Sequence, residues 1–275
     1  MPIIALICHM ILLQKYFDIL FSAYHIHIYK YIYVYVCISK PFMFLYFSQD
    51  HLSLFLNIII YEDTQKKGLG QKVNDAGYRV LRDIDLSGKA ILEIGPGGLH
   101  HIENWSSKPD KYVLVDIDHK FLKNASEKLS AHGVDFETRL TARDESGRLP
   151  AEDGEFDVIV TFYSLEHLYP FREHLDEMVR VLKPGGVIVG AIPTEGGLAW
   201  GMGRYITSRR WLKKNTTIDP DKIICWEHPN FADEILNSMN FSLDCRKLDF
   251  WPFVLPLLDV NLLVKFIYQK PGAPK

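Results

Sequence analysis

A cluster of glycines follows a short apolar run and a carboxylate in the segment ILEIGPGG, residues 91–98. Glycine lacks a Cβ and adopts positive φ readily, so Gly95 and Gly97 allow a sharp turn that a ligand approaches closely. A helix beginning near Leu99 would add the positive end of its dipole to the amides of this turn. The pattern predicts a ligand-binding turn after a strand, with an ordinary glycine-rich turn as the alternative.

An acidic residue stands at the distance that a nucleotide site requires. Asp116 ends a second apolar run and lies 21 positions after Gly95. In a parallel α/β unit this spacing places a carboxylate at the tip of the neighbouring strand, where it accepts hydrogen bonds from the two hydroxyls of a ribose. The two features together favour a nucleotide-like ligand.

Two kinds of ligand fit this pattern, a dinucleotide and an adenosyl group. A nicotinamide fingerprint G-x-G-x-x-G that starts at Gly95 has His100 in place of its last glycine, which weakens the dinucleotide interpretation. Glu93 is poorly suited to a pyrophosphate, because both groups are anionic. It is better suited to a cationic amino group or, through water, to a sulfonium amino acid.

His167 is the first candidate for a general base. It follows the fourth predicted strand, and histidine titrates near neutral pH. The alternative is a histidine that only caps or packs the turn. The neighbouring His100 and His101 have no second ligand pair at suitable spacing, so no metal site is predicted.

A long connection follows the fifth predicted strand, from about residue 194 to 228. Connections of this length tend to be lids or binding loops, and we expect this one to cover an acceptor site. Its candidate substrate residues combine aromatic surface with charged and titratable groups. They are Glu195, Trp200, Arg204, Tyr205 and His228. The arginine is suited to a carboxylate or phosphate, and the alternative is a surface helix with solvated basic side chains.

Alternating strands and helices must position these residues. Apolar runs predict strands over 89–94, 111–115, 134–140, 156–161 and 187–192. Helices are predicted over 99–105, 121–132 and 171–182, between strands, and within 61–87, before the first of them. This alternation is typical of a parallel α/β sheet.

Composition narrows the class of protein. A chain of 275 residues with 48% hydrophobic composition can build a sizeable core. The formal net charge of −3 argues against a protein that binds nucleic acid by bulk electrostatics. The four cysteines form no C-x-x-C pair, which predicts reduced thiols and a cytoplasmic protein.

Residues 1–61 form a hydrophobic extension without Gly or Glu, ahead of a predicted domain over 62–275. Three interpretations of the extension are open. In the first, the start is assigned too far upstream, since an AT-rich repeat would encode this small alphabet of residues. The extension could instead be a folded segment, or an anchor that makes the protein membrane-associated, although charged residues interrupt the roughly 20 apolar residues that a span needs. The apolar segment 250–258 is a second candidate for membrane contact, and packing under the lid, contact with a dimer partner and contact with a lipid-like substrate are the other open interpretations.

Residues 89–193 resemble the class I S-adenosylmethionine-dependent methyltransferase family, in particular its small-molecule, type 11-like branch. The motifs that carry the resemblance are LEIGPGG, VDID, LPAEDGEFDVIV, SLEHL and RVLKPGG. It implies an α/β, Rossmann-like, doubly wound sheet of seven strands in a three-layer α/β/α arrangement. The last strand is antiparallel, with 241–250 and 260–270 as the final pair.

The resemblance also implies an enzyme of class EC 2.1.1 that uses S-adenosyl-L-methionine. Such an enzyme moves a methyl group by in-line displacement to a small-molecule acceptor, which we expect to be sugar- or lipid-linked. One alternative is a non-catalytic cofactor-binding module of the same fold. Another is a nicotinamide-dependent Rossmann oxidoreductase. The oligomeric state is left open.

Cofactor-binding roles follow from the same resemblance. Gly95 and Gly97 let the methionine part of the cofactor approach the backbone, with Glu93 beneath them. Asp116 holds the ribose, and its apolar neighbour Ile117 packs on adenine. Asp144 or Glu145 reaches the adenine amino group, while Thr161 and Phe162 line the cofactor near the fourth strand. The chain departs from the fullest glycine pattern of the family at Leu99.

Overall fold

The structure is a computed structural model that describes residues 69–142, 146–206, 208–215 and 228–272. The N-terminal extension and the two candidate adenine-binding acids, Asp144 and Glu145, lie outside these ranges, as does part of the predicted lid. Within the described ranges, no helix has both the length and the apolar character needed to cross a bilayer.

Seven strands of the described chain form one sheet. They are β1 (Ala90–Ile94), β2 (Lys111–Asp116), β3 (Phe136–Leu140), β4 (Phe156–Phe162), β5 (Leu182–Pro193), β6 (Asp244–Trp251) and β7 (Leu263–Gln269). Their order is β3-β2-β1-β4-β5-β7-β6, and β7 is antiparallel to both of its neighbours. The predicted fold class, including its antiparallel last strand, is confirmed.

Helices cover both faces of this sheet. They are α1 (Leu69–Tyr78), α2 (His119–Ala131), α3 (Phe171–Val181), α4 (Leu198–Ile206), α5 (Ser208–Asn215) and α6 (Ala232–Ser242). On β1, Leu92 packs in the core with residues of α3 and α6, whereas Ile91 faces the core that contains residues of α2. Successive strand residues thus serve opposite faces, and both faces are buried, as expected of a parallel sheet between helical layers.

The prediction that a helix starts near Leu99 is wrong. A turn stands there, closed by the Leu99 amide donating to the Pro96 carbonyl at 2.8 Å, and only a short 3-10 helix, Ile102–Asn104, follows. Leu99 has φ of +48°, a left-handed conformation that does not continue a right-handed helix. The glycine turn therefore presents its amides without the dipole of a following α-helix.

Candidate active site

The glycine turn lies at the carboxyl end of β1 and has one closed and one open side. Gly95 and Gly97 have φ of +68° and +50°. A Cβ on Gly95 would lie 2.9 Å from Cβ of Ser164, so the turn rests directly on the segment after β4. A Cβ on Gly97 would meet no atom of the described residues within 4 Å. The backbone at Gly97 is thus the part of the turn that a ligand can approach.

Ser164, which the sequence analysis did not single out, holds this turn in place. Its hydroxyl donates to the carbonyl of Ile94 at 3.1 Å and lies 2.6 Å from the hydroxyl of Thr161. Thr161 is fully buried. In this structure the Thr161 side chain therefore supports the turn through Ser164, and direct contact with the cofactor stays a prediction for it.

Glu93 is buried under the turn in a network that joins two strands to the segment after the turn. Its Oε1 lies 2.7 Å from Nε2 of His101, and its Oε2 accepts from the Tyr112 hydroxyl at 2.7 Å. The indole of Trp105 donates to Nδ1 of His101 at 3.1 Å, which places the imidazole proton on Nε2, facing the carboxylate. Burial, and then the charge of Glu93, raise the pKa of Tyr112 well above its ordinary value, so this phenol stays a donor.

This network gives Glu93 a positioning role. With only 1% of its surface exposed, the carboxylate does not reach the open side of the turn. It fixes the segment carrying His101 and Trp105 instead. Contact with a cofactor amino group stays a prediction for Glu93.

Asp116 ends β2, next to the glycine turn, as the spacing predicted. Gly95 donates its amide to the carbonyl of Val115 at 3.0 Å, which ties the turn to the residue before Asp116. Oδ1 of Asp116 accepts from the Asp118 amide at 2.8 Å. Burial raises the pKa of Asp116 to about 6, so near neutral pH it is an ionised acceptor at modest cost.

Apolar surface flanks this acid. Ile117 is 51% exposed and Leu140, paired with Asp116 in the register of β2 and β3, is 47% exposed. Exposed aliphatic side chains at a strand end offer a flat face to a ring such as adenine. Phe162, in contrast, is buried and packs edge-on against Tyr78, with ring centroids 5.0 Å apart. Its predicted contact with the cofactor stays a prediction.

A second group of polar residues lies beyond the carboxyl ends of β4 and β5. We call it the Glu195 cluster, and its members are Glu166, His167, Glu195, Arg204 and His228. A carboxylate oxygen of Glu195 is 3.0 Å from the Arg204 guanidinium, and the other is 3.2 Å from Nδ1 of His228. The rings of His167 and His228 meet edge to face, with centroids 4.5 Å apart. The fold thus brings together four residues that were nominated separately.

The cluster is close to electrically neutral. Burial lowers the pKa of His228, and the tautomer that suits its contacts carries the proton on Nδ1, towards Glu195, leaving Nε2 to accept from Arg204 at 3.4 Å. Burial also raises the pKa of Glu166 to about 8, so this residue is a neutral acid at pH 7. Arg204 and Glu195 neutralise each other. The predicted use of Arg204 for an anionic substrate therefore receives no support from its surroundings.

Oε2 of Glu166 and Nε1 of Trp200 are among the buried side-chain atoms that have no hydrogen-bond partner within the described residues. The Trp200 ring lies 5.9 Å from the guanidinium carbon of Arg204. Tyr205 is 60% exposed and lies beside Arg209 instead, so the structure does not bring it into the cluster. Asn230, which sequence reasoning missed, is buried and donates to the carbonyl of Leu165 at 3.0 Å, tying the segment after His228 to the turn that carries His167.

The neutral state of Glu166 predicts an unusual pH dependence of stability. Between pH of about 4.5 and about 8 the folded chain holds a proton on Glu166 that the unfolded chain has lost, so the free energy of unfolding falls as pH rises through this window. Glu166→Gln removes this contribution, and thermal melts at about pH 5, 7 and 9 should show a flatter profile than the wild type. Glu173→Gln, at an exposed position, is the control that keeps the wild-type slope. An unchanged slope in Glu166→Gln contradicts the assignment.

Comparison with known proteins agrees with this geometry. Residues 92–190 match a family model described as a methyltransferase domain. Over 112 residues the chain is 34% identical to the phthiotriol/phenolphthiotriol dimycocerosates methyltransferase of Mycobacterium tuberculosis. The matched segment is 40% of this chain and 39% of that protein. Over 131 residues it is 30% identical to the mitochondrial arginine-hydroxylase NDUFAF5 of Mus musculus, covering 47% and 35% of the two chains. The chain thus spans only about two fifths of the length of the curated relatives it matches.

Solved structures share the fold at low sequence identity. A SAM-dependent methyltransferase from Aquifex aeolicus aligns with a TM-score of 0.51 and 14% identity, over 79% of this chain and 98% of that one. The PH0226 protein from Pyrococcus horikoshii aligns with a TM-score of 0.53 and 15% identity over the same shares. At such identities the likeness shows the fold alone.

The match of residues 92–190 to the methyltransferase-domain model and the strand order of the sheet together confirm the resemblance to class I S-adenosylmethionine-dependent methyltransferases. The cofactor of this family is S-adenosyl-L-methionine. The residues present fit it, because the turn has an open backbone at Gly97 and a carboxylate, Asp116, on the adjoining strand. Ile117 adds an exposed apolar face beside that acid.

Proposed function

We propose that this protein transfers a methyl group from S-adenosylmethionine to a small, uncharged acceptor with lipid character. The observation that carries the proposal is the placement of the open glycine turn beside Asp116, with the buried Glu195 cluster across the same edge of the sheet. One side fits the cofactor and the other offers polar groups to a second molecule. Methyltransferase relatives named for phthiotriol dimycocerosates support a lipid-like acceptor.

The charge balance of the Glu195 cluster supports the same acceptor. An anionic acceptor would need an unneutralised cation, whereas Arg204 is bound by Glu195. An uncharged polar group needs only a neutral donor or acceptor, and the neutral Glu166 and the indole of Trp200 each have a buried atom without a hydrogen-bond partner among the described residues. Hydrogen bonds to these two residues favour a hydroxyl or similar uncharged group, and they avoid the desolvation penalty of a buried charge.

When bound, S-adenosylmethionine supplies an activated methyl group. The residues of this chain then have to align the acceptor with it, and positioning of this kind can contribute roughly 7–11 kcal/mol to catalysis. Glu195 pairs with Arg204 at 3.0 Å and with His228 at 3.2 Å, and Asn230 is hydrogen-bonded to the turn that carries His167. The acceptor site is therefore preorganised on both sides of His167.

The test is methyl incorporation by the full chain. Cell extract divided into organic and aqueous fractions is incubated with the protein and S-adenosylmethionine labelled in its methyl group. Label should enter the organic fraction only when the protein is present. Cofactor binding without incorporation in either fraction would favour the non-catalytic alternative, and label confined to the aqueous fraction would refute the lipid-like acceptor.

A general-base role for His167 makes a further prediction. If His167 accepts the proton of the acceptor, His167→Gln lowers kcat by about 10²–10⁴-fold, because general-base catalysis contributes at that scale. The cofactor affinity should stay unchanged. Once an acceptor is found, kcat is measured for this variant and for His132→Gln, an exposed histidine at the end of α2. A kcat within a few-fold of wild type for His167→Gln would leave the residue with packing alone.

A further inference from the structure

The link between β6 and β7 exposes a run of apolar side chains. Residues 252–257, PFVLPL, are all exposed, and Val254 keeps 92% of its surface accessible. Large apolar groups on a protein surface are ordinary when scattered, but a contiguous run points to a binding surface. The question is what this run contacts.

The exposed run is held in a defined conformation by a buried side chain. Asn261 is fully buried, and its Oδ1 accepts from the Phe253 amide at 2.8 Å. Its Nδ2 donates to the carbonyls of Leu255 and Leu257 at 2.9 and 2.8 Å. The Leu257 amide donates within the run, to the Leu255 carbonyl at 2.8 Å.

These bonds matter for entry into an apolar medium. A backbone polar group without a partner costs several kcal/mol in hydrocarbon. In the run, the two prolines have no amide hydrogen, and the amides of Phe253 and Leu257 are satisfied internally. The run therefore presents apolar side chains outward while two of its amides, at Phe253 and Leu257, and two of its carbonyls, at Leu255 and Leu257, are already paired.

The apolar surface continues onto α4. The 3-10 helix Leu258–Val260 packs against α4, and the Leu198 amide donates to the Asp259 carboxylate at 3.3 Å. On that helix Leu198 is 74% exposed and Met202 is 65% exposed, and the exposed Tyr205 lies one turn further. We call residues 252–257 with Leu198, Met202 and Tyr205 the apolar edge.

A basic helix adjoins the apolar edge. α5 packs against α4 and has the sequence SRRWLKKN, with four cations and no acid. The side chains of Arg210, Lys213 and Lys214 are exposed. Two copies of this surface facing each other would bring like charges together. Apolar side chains beside a cluster of cations instead complement the headgroups and the hydrocarbon boundary of an anionic bilayer.

We propose that the apolar edge and α5 form a docking surface for the interface of an anionic lipid bilayer. The apolar run enters the headgroup boundary and the cations of α5 bind lipid phosphates and carboxylates. The docking surface lies outside the cofactor site. Membrane binding can therefore be tested independently of methyl transfer.

Vesicle binding by the full chain tests the proposal. Wild type should bind phosphatidylcholine vesicles that contain about one third phosphatidylserine and bind pure phosphatidylcholine weakly, because each basic residue near an anionic surface contributes favourably. Val254→Asp with Leu255→Asp, and separately Lys213→Glu with Lys214→Glu, should weaken the binding about tenfold or more. Phe241→Ser and Lys123→Glu, at exposed positions elsewhere, are the matched controls and should bind like wild type.

Hydrogen exchange on the same samples locates the contact. Anionic vesicles should slow amide exchange in peptides that cover 252–260 and leave α2 unchanged. Three results would overturn the proposal. The first is that the wild type does not bind the anionic vesicles. The second is that vesicles protect only the hydrophobic N-terminal extension while the variants of the apolar edge and of α5 keep wild-type affinity, and the third is self-association through the apolar edge in the absence of vesicles. Calorimetry with S-adenosylmethionine on each variant shows that the cofactor site is intact, which separates this outcome from failure of the proposed function.

Discussion

Gly97→Ala is expected to weaken S-adenosylmethionine binding by about 100-fold or more while the protein still folds. The added methyl group would lie at the open side of the turn, where none of the described residues has an atom within 4 Å, and would keep the ligand from the backbone. Loss of about three hydrogen bonds at about 1 kcal/mol each accounts for a change of this size. Isothermal titration calorimetry on the full chain measures it.

Gly88→Ala is the matched control. Gly88 has φ of +67°, and an added Cβ there would also have no atom within 4 Å in the part of the chain that the structure describes, but Gly88 precedes β1 and so lies at the opposite end of that strand. Each substitution forces alanine into the left-handed region, at a cost of about 1–2 kcal/mol in stability. Equal losses of stability with a loss of affinity only in Gly97→Ala would support the site. Equal affinities in the two variants would contradict it.

Asp116→Asn is expected to weaken cofactor binding by about 10- to 100-fold, since a hydrogen bond to a charged group contributes about 1.5–3 kcal/mol. The acid should also make wild-type binding depend on pH. Because burial raises the pKa of Asp116 to about 6, the carboxylate becomes protonated as pH falls below that value and loses acceptor capacity. The Kd of the wild type should therefore rise between about pH 7 and about pH 5, and the Kd of the variant should not.

The control for this experiment is Asp135→Asn, an equal change of charge at an exposed residue before β3. It should keep both the affinity and the pH dependence of wild type. If Asp116→Asn binds the cofactor as tightly as wild type at neutral pH, the ribose role is wrong. If it binds weakly but keeps the pH dependence, another group titrates.

The sequence predicted the cofactor edge of the fold well, because that edge depends on local rules. A strand of apolar residues followed by glycines must turn, and an acid 21 positions later must end the next parallel strand. Both predictions are confirmed at Gly95 and Asp116. The antiparallel final strand came from the family resemblance rather than from the spacing of residues.

Local rules failed where tertiary contacts decide the backbone. The segment after Gly98 has helix-compatible residues, but Leu99 is buried in a left-handed conformation and His101 is bound by Glu93 and Trp105. Packing at these positions overrides helix propensity. The same contacts place Glu93 under the turn, a position that the one-dimensional motif does not reveal.

Pairing within the Glu195 cluster lay beyond the sequence for a related reason. Glu195 and His228 are 33 residues apart in the sequence. Arg204 lies between them in the sequence, on the helix Leu198–Ile206. Each was a reasonable substrate candidate alone. Only the fold shows that they neutralise one another, and that Ser164 and Asn230 hold the turns on either side.

Calorimetry of the full chain with S-adenosylmethionine is the direct test of whether the glycine turn and Asp116 form a site for this cofactor. Titration with NAD⁺ in the same buffer serves as the comparison, since both ligands contain an adenosine whose ribose could reach Asp116. Saturable binding of S-adenosylmethionine is expected, weakened by about 100-fold or more in Gly97→Ala, with no measurable binding of NAD⁺. Tight binding of NAD⁺ without binding of S-adenosylmethionine would contradict this expectation.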